Sequence, residues 1–391
     1  GVARLPYMGY NTWYDFMCNH INASNIMKLA DALVESGLSK LGYNYLNIDD
    51  CWAVGRNKTT RAIQEDPKAF PDGMKRLVDY VHSKGLKFGI YTDRGTETCA
   101  GRPGSLNFED LDALTYAAWG VDLVKEDSCN AEDKPDVALL QYGKMRDALN
   151  ATGRHIVFNL CGWHPWYAKE GATLANSWRV NYDGANWGAV VVNAMTNAKL
   201  AKFAGPGAWN DPDFLLGSSP GAAAHLTETQ SRLQFSLWAV MAAPLIIGSS
   251  LLQLPQFDLE TYTNAEVIAV DQDVLAVQGT VAWENCPPLA ADPAAVPECQ
   301  QIWTKPLSDG GHAVALVNFA SKEANATCDD ACFQQMGFEG GTRPARVRDL
   351  WAHQDISDVG VNLTATLAGS GGFRLLRLSP ARSAPVETVI L

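Results

Sequence analysis

Acidic side chains recur at the ends of short apolar runs along this chain. Asp49 and Asp50 follow YNYLNI, Asp93 follows KFGIYT, Glu126 and Asp127 follow VDLVK, Asp183 ends SWRVNYD, and Asp211 and Asp213 lie in AWNDPDFLL. One such aspartate is as readily a helix N-cap, because a carboxylate just before a helix accepts its free N–H groups. Several converging on one face would repel and take up protons unless cations intervene. Two cations are at hand: Lys125, two residues before Asp127, and Arg179, four before Asp183. The two-residue period of a strand puts Lys125 and Asp127 on one side and Glu126 on the other. Lys125 is therefore expected to help hold Asp127 ionised, as a nucleophile. Asp183, flanked by Tyr182 and close in sequence to Trp178 and Trp187, is expected to stay protonated in a less polar setting and to act as proton donor. Two carboxyl groups divided in this way suit cleavage of a glycosidic bond.

Aromatic residues point to a sugar as the ligand. Trp13, Trp52, Tyr91, Trp163, Trp166 and Trp209 all fall at or just past the ends of the apolar runs. The electron-rich face of an indole suits the C–H groups of a pyranose ring. Trp13, beside Asn11 and Asp15, is the better pocket candidate, whereas Trp209 fits a core position equally well.

The elements that must position these groups alternate from residue 7 to about 278. Strand-like runs (YMGYN, YNYLNIDD, KFGIYTD, VDLVKED, HIVFNL, SWRVNYD, AWNDPDFLL and APLIIG) are separated by helical patterns. Ser24 is expected to cap a helix carrying Ile26, Met27, Ala30, Leu33, Val34 and Leu38 on one face. Pro71 is expected to open another, with Met74, Leu77, Val78 and Val81, ending at Gly85. Eight strands alternating with helices predict an α/β fold, a (β/α)8 TIM barrel over residues 1–278, with chemistry at the carboxyl ends of the strands. A doubly wound sheet fits less well, because MGYNTWYDF lacks the glycine-rich phosphate turn. Past Gly279 the helical period disappears, and HAVALVNFA, ARVRDLWA and GGFRLLRLS read as strands of a C-terminal antiparallel β-sandwich domain over residues 279–391.

The chain has 391 residues and a formal net charge of -12, a balance that disfavours nucleic acid and anionic membrane surfaces as partners. No apolar run reaches the roughly 18 residues of a membrane span. Asn22, Asn57, Asn150, Asn325 and Asn362 each begin an N-x-Ser/Thr triplet, and nine cysteines form no C-x-x-C pair, so an exported, disulfide-bonded glycoprotein is expected. Gly1 to Pro6 is not a charged-then-apolar leader, so the signal of an exported chain would already be removed. An odd cysteine count leaves one thiol free, and Cys161, inside an apolar run, is the candidate. Cys286, Cys299, Cys328 and Cys332 are placed to staple loops of the second domain, with the pairing open. Of rival classes, an Mg²⁺-dependent barrel enzyme is opposed by Lys125 beside the acids, and a lectin-like sugar binder by the presence of both aspartates.

At this point LGYNYLNIDDCW, MGYNTW, GIYTDRGTETC, VDLVKEDSC, SWRVNYD, GAWNDPDFLLG, QFSLWAVMAAPLIIG and RDLWA together resemble the α-galactosidases of glycoside hydrolase family 27, in order and over nearly the whole chain. The resemblance implies a secreted or extracellular, or else vacuolar or lysosomal, enzyme that removes terminal galactose from oligosaccharides or glycoconjugates with retained configuration and no cofactor. It implies Asp127 as nucleophile and Asp183 as acid/base. Asp49 and Asp50 would grip the 4- and 6-hydroxyls, Lys125 the 3- and 4-hydroxyls, Arg179 the 2-hydroxyl and Asp213 the same side of the ring, with Trp13 and Tyr91 lining the pocket. It also suggests the disulfides Cys18–Cys51 and Cys99–Cys129.

Departures from that pattern bear on substrate. Gly162 stands where α-galactosidases have a glutamate near the 2-position, which makes room for a 2-acetamido group and keeps an α-N-acetylgalactosaminidase reading open, with Trp166 following nearby. A β-L-arabinopyranosidase is opposed by Asp49, where those relatives have Glu. Glu126 replaces an aromatic, Arg94 a small residue and Phe214 a methionine. An Arg94–Glu126 ion pair across adjacent strands would explain the first two together.

Overall fold

The computed structural model describes residues 1–219, 225–289, 296–338, 342–356 and 362–380. The expected alternation is realised as eight parallel strands: β1 (Met8–Asn11), β2 (Tyr43–Asn47), β3 (Lys87–Asp93), β4 (Leu123–Asp127), β5 (Val157–Leu160), β6 (Ser177–Arg179), β7 (Trp209–Asp211) and β8 (Leu245–Ile247). They pair in the order β8-β1-β2-β3-β4-β5-β6-β7. Closure runs through Leu215, which bridges Ile247 in parallel and exchanges 2.8 Å bonds with Ile246 O and the Gly248 N–H. The ladder lapses between β7 and Leu215, where Pro212 lacks an N–H and Asp213 has a left-handed backbone, φ +87°. The barrel is thus closed by a chain that kinks where it delivers an acid.

Helices α1 (Ala23–Glu35), α2 (Met74–Ser83), α3 (Glu109–Trp119), α4 (Pro135–Ala151), α5 (Ala168–Leu174), α6 (Trp187–Ala198) and α7 (Glu228–Val240) follow the first seven strands, and α8 (Gln256–Tyr262) and α9 (Ala265–Asp271) follow β8. The expected apolar face of α2 is buried; on α1, Ile26, Leu29, Ala30 and Leu33 are buried, Met27 and Val34 are half-buried, and Leu38 lies past the helix end. The α1 cap is Asn22 rather than Ser24: Asn22 Oδ1 accepts the Asn25 N–H at 3.0 Å, and Ser24 already lies within the first turn. Likewise α2 starts at Met74 behind Gly73, three residues past Pro71.

Helix α7 is buried nearly all round from Leu233 to Val240, with Gln234 and Ser236 enclosed among Leu233, Phe235, Leu237 and Trp238. It packs on β8 and also on two strands of the second unit, β11 (His312–Asn318) and β16 (Gly372–Leu378). That unit is a six-stranded antiparallel sheet with the order β9 (Thr280–Glu284), β10 (Gln300–Pro306), β11, β16, β13 (Val347–Asp349), β14 (Gln354–Ile356), covered by the β12 (Ala324–Cys328)–β15 (Leu363–Leu367) pair. Ile302, Val314, Leu316, Phe333 and Leu376 form the core between the layers. Cys286 pairs with Cys299 and Cys328 with Cys332. From β10, Lys305 reaches into the barrel, where its Nζ donates to Val270 O at 2.6 Å and Ala239 O at 3.1 Å, carbonyls in the last turns of α9 and α7.

Candidate active site

Trp13, Tyr14, Asp49, Tyr91, Lys125, Asp127, Trp163, Arg179, Asp183, Asp213 and Phe214, with Cys99 and Cys129, enclose one cavity of about 160 Å³ at the carboxyl ends of the barrel strands. That is small beside drug-binding pockets and suits a single ring. A larger cavity of about 360 Å³ lies against the second unit, between Arg232, Phe257, Trp351 and Phe373, but it gathers no acids from the strand ends.

Asp127 ends β4 and Tyr91 lies opposite Lys125 on β3. The Tyr91 hydroxyl donates to Asp127 Oδ2 at 2.8 Å, and the Ser128 N–H donates to Oδ1 at 2.9 Å. Lys125 does not turn to Asp127. Its Nζ lies 2.8 Å from Asp49 Oδ2, between the rings of Phe214 (5.0 Å) and Tyr91 (5.1 Å). Asn11 Nδ2 donates to the same Asp49 oxygen at 2.9 Å. Burial works against the Lys125 charge, but the Asp49 and Asp127 carboxylates hold the ammonium above its ordinary value.

Across the cavity, Arg179 at the end of β6 bridges two acids: Nη1 to Asp213 Oδ1 at 3.0 Å, an ion pair rather than an aligned hydrogen bond, and Nη2 to Asp183 Oδ1 at 3.1 Å. The left-handed backbone of Asp213 lets its other oxygen accept from the Tyr14 hydroxyl at 2.6 Å and the Gly184 N–H at 2.7 Å. Asp183 lies four residues past the strand, and its side chain is 52% exposed, whereas that of Asp213 is buried. Cys161 is the free thiol, buried beneath Arg179 with its Sγ 3.6 Å from Nη1. Burial pushes this thiol well up, so it stays neutral.

The resting charges run opposite to the sequence expectation. Burial pushes the Asp127 carboxyl up to about 6, and Lys125, engaged by Asp49, only partly counters it. Burial also acts on Asp183, but the Arg179 and Lys125 charges and the Arg179 hydrogen bond bring its carboxyl below the usual value. Of the two, Asp127 is therefore the group that holds a proton to higher pH.

Several expected site residues lie elsewhere. Asp50 accepts from the Cys51 N–H, the Ala100 N–H and the Thr98 hydroxyl, so it holds the loop that carries Cys99 and is not part of the cavity wall. Gly162 is also outside the wall. A Cβ there would meet the Tyr167 ring at 2.0 Å, so the tyrosine occupies the space beside Gly162. Trp166 stacks on that Tyr167 ring, with centroids 3.7 Å apart, and does not line the cavity. Trp52 and Trp209 are core residues. Trp178 packs outward against Gly171 and Trp187 near Phe319, so neither supplies Asp183 with an apolar setting.

The Arg94–Glu126 ion pair does not form. Arg94 donates to Ser128, Gln141 and the Glu132 carbonyl instead, and both buried Glu126 oxygens lack a partner among the described residues. Tyr14 was not anticipated, and its only signal was its place beside Trp13.

Cys18 pairs with Cys51 and Cys99 with Cys129, bracing the loops after β1, β2, β3 and β4. Asp93, Asp127 and the last two cysteines bring ligand-type atoms within 4.8 Å of one another. Both sulfurs are bonded to each other, and both carboxylates already accept hydrogen bonds, so this cluster is not a metal centre.

Residues 5–273 match the family model described as alpha galactosidase A, and residues 298–378 the alpha galactosidase C-terminal beta sandwich domain. Alpha-galactosidase 3 of Arabidopsis thaliana is 44% identical over 364 residues, which are 92% of this chain and 78% of that protein. The structure of alpha-galactosidase I from Mortierella vinacea superimposes with a TM-score of 0.87 at 32% identity, covering 98% of this chain and 99% of that one. The Saccharomyces cerevisiae alpha-galactosidase structure with raffinose gives a TM-score of 0.86 at 26% identity, over 97% and 99% of the two chains. With both of its units matched by these family models and relatives at this identity spanning nearly the whole chain, the chain belongs to the α-galactosidase family.

Proposed function

We propose that the chain removes terminal α-galactose from oligosaccharides or glycoconjugates by double displacement, with Asp127 as nucleophile and Asp183 as general acid and base. One observation carries the assignment: Asp127 and Asp183 face a single small cavity, one deep in its wall and one at its mouth. Asp127 attacks the anomeric carbon as the leaving oxygen takes the Asp183 proton. Water then enters with Asp183 as base, and galactose leaves with its α configuration retained. Asp49, Lys125 and Asp213 offer a fixed set of acceptors and donors for ring hydroxyls, and Trp13 and Tyr91 offer faces for its C–H edges.

Below about pH 6, where Asp127 carries the proton, that proton must pass to Asp183 before attack. A substrate hydroxyl that draws Arg179 away from Asp183 supplies the reason, since Asp183 then loses the charge that keeps it ionised. The raffinose held by the yeast relative supports a galactoside substrate. Export is supported by the sequons, of which Asn150, Asn325 and Asn362 are exposed, together with the four disulfides. No helix among the described residues is long and apolar enough to cross a membrane.

The test uses azide with two variants. Asp183→Ala should form α-galactosyl azide, because azide intercepts the enzyme-bound sugar. Asp127→Ala should form the β-azide, because azide replaces the nucleophile directly. The opposite pairing of products would reverse the assignment.

A further inference from the structure

We infer that Trp163 and Tyr182 form the subsite for the leaving group and that this leaving group is a pyranose ring. The inference rests on Asp183 being the acid. A general acid must touch the oxygen of the departing group. Of the carboxylates facing the cavity, Asp183 alone is half-exposed, while Asp49, Asp127 and Asp213 are buried. The departing group therefore lies outward, past Asp183.

An aromatic wall stands at that exit. Tyr182 precedes Asp183, is 58% exposed, and stacks on Trp163 with centroids 6.3 Å apart and planes inclined by 28°. Trp163 itself lines the cavity. Trp163 also has a left-handed backbone, φ +62°, which a bulky residue adopts only when its surroundings impose it. His164 packs edge-on to Tyr182, and its Nε2 lies 3.2 Å from Asp133 Oδ2, which adds polar groups for sugar hydroxyls beside the apolar faces. The Tyr182 carbonyl accepts from Asn193 Nδ2 at 2.9 Å, which anchors the backbone beside the exposed ring. Apolar faces edged by hydrogen-bonding groups suit a sugar.

The experiment compares two substrates. One is a disaccharide of galactose α-1,6-linked to glucose, and the other is α-galactosyl fluoride, whose leaving group is a single atom. Tyr182→Ala should lower kcat/KM on the disaccharide about fivefold to tenfold and leave fluoride hydrolysis within about twofold of wild type. Tyr182→Phe should restore the disaccharide rate. Equal losses on both substrates, or no loss on the disaccharide, would overturn the subsite. Wild-type enzyme that cleaves neither substrate would instead sink the proposed reaction, and the subsite with it.

Discussion

Lys125 Nζ lies 2.8 Å from Asp49 Oδ2, and both side chains are buried. The ammonium that adjoins the nucleophile in sequence is thus held by the acid two strands round the barrel. Asn11 and the Asp50 N–H complete the hydrogen bonds of Asp49, so the pair is fixed before any sugar arrives. Lys125→Met would leave the Asp49 charge buried and unpaired, and should cost ~3–5 kcal/mol of stability. Chemical denaturation with an unchanged m-value checks this. A loss of a few tenths would mean that the pair is merely tolerated.

The acid pair sets a pH window. It holds one proton until Asp127 deprotonates at about 6, and the singly protonated pair is the form that can both attack and donate. kcat/KM on an oligosaccharide is therefore expected to fall as pH rises through about 6. A profile that keeps climbing past neutrality would contradict the shared proton.

Stability should follow a related course. Burial and the neighbouring Asp127 charge push Asp93 up to about 7. A carboxyl raised in this way contributes its full stabilisation below its unfolded value, and loses it as pH rises through the folded one. Tm should decline between about pH 4 and about pH 7, and Asp93→Asn should flatten that decline. Calorimetry across this range would reveal it.

Gly162 and Tyr167 decide the fate of the 2-acetamido reading. Gly162→Ser should destabilise the protein by ~1–3 kcal/mol, because the new side chain collides with the ring. It should not create activity on nitrophenyl α-N-acetylgalactosaminide. Turnover of that substrate by the variant would mean that Tyr167 swings aside.

Arg94 and Glu126 are coupled by charge without touching: Arg94 opposes the rise that burial imposes on the Glu126 carboxyl. The double variant Arg94→Ala/Glu126→Gln should therefore show a coupling of ~0.5 kcal/mol or more, and strict additivity would contradict it. Urea titration of the four proteins measures it.

The barrel was legible because eight apolar runs at the spacing of strand–helix units leave few alternatives, and the acids at their ends mark the reactive face. Side-chain partners were not legible in the same way. Whether Lys125 meets Asp127 or Asp49 depends on placement across strands rather than along one. The same holds for Arg94, drawn to Ser128 and Gln141 by α4 and the loop before it. Gly162 looked like added room because a sequence shows the missing side chain and not the tyrosine folded over it. Trp163 follows β5 and edges the cavity, whereas Trp209 opens β7 and is sealed in the core.

Lys305 has a practical consequence. A single side chain from the sandwich completes the hydrogen bonding of two barrel helices, α7 and α9. Removing the sandwich would expose to water the face of α7 that packs on β11 and β16 and take the cation from both helix ends, so the barrel is not an independent module for engineering. Chimeras that exchange sandwiches between relatives should succeed only when the donor supplies a lysine at this position.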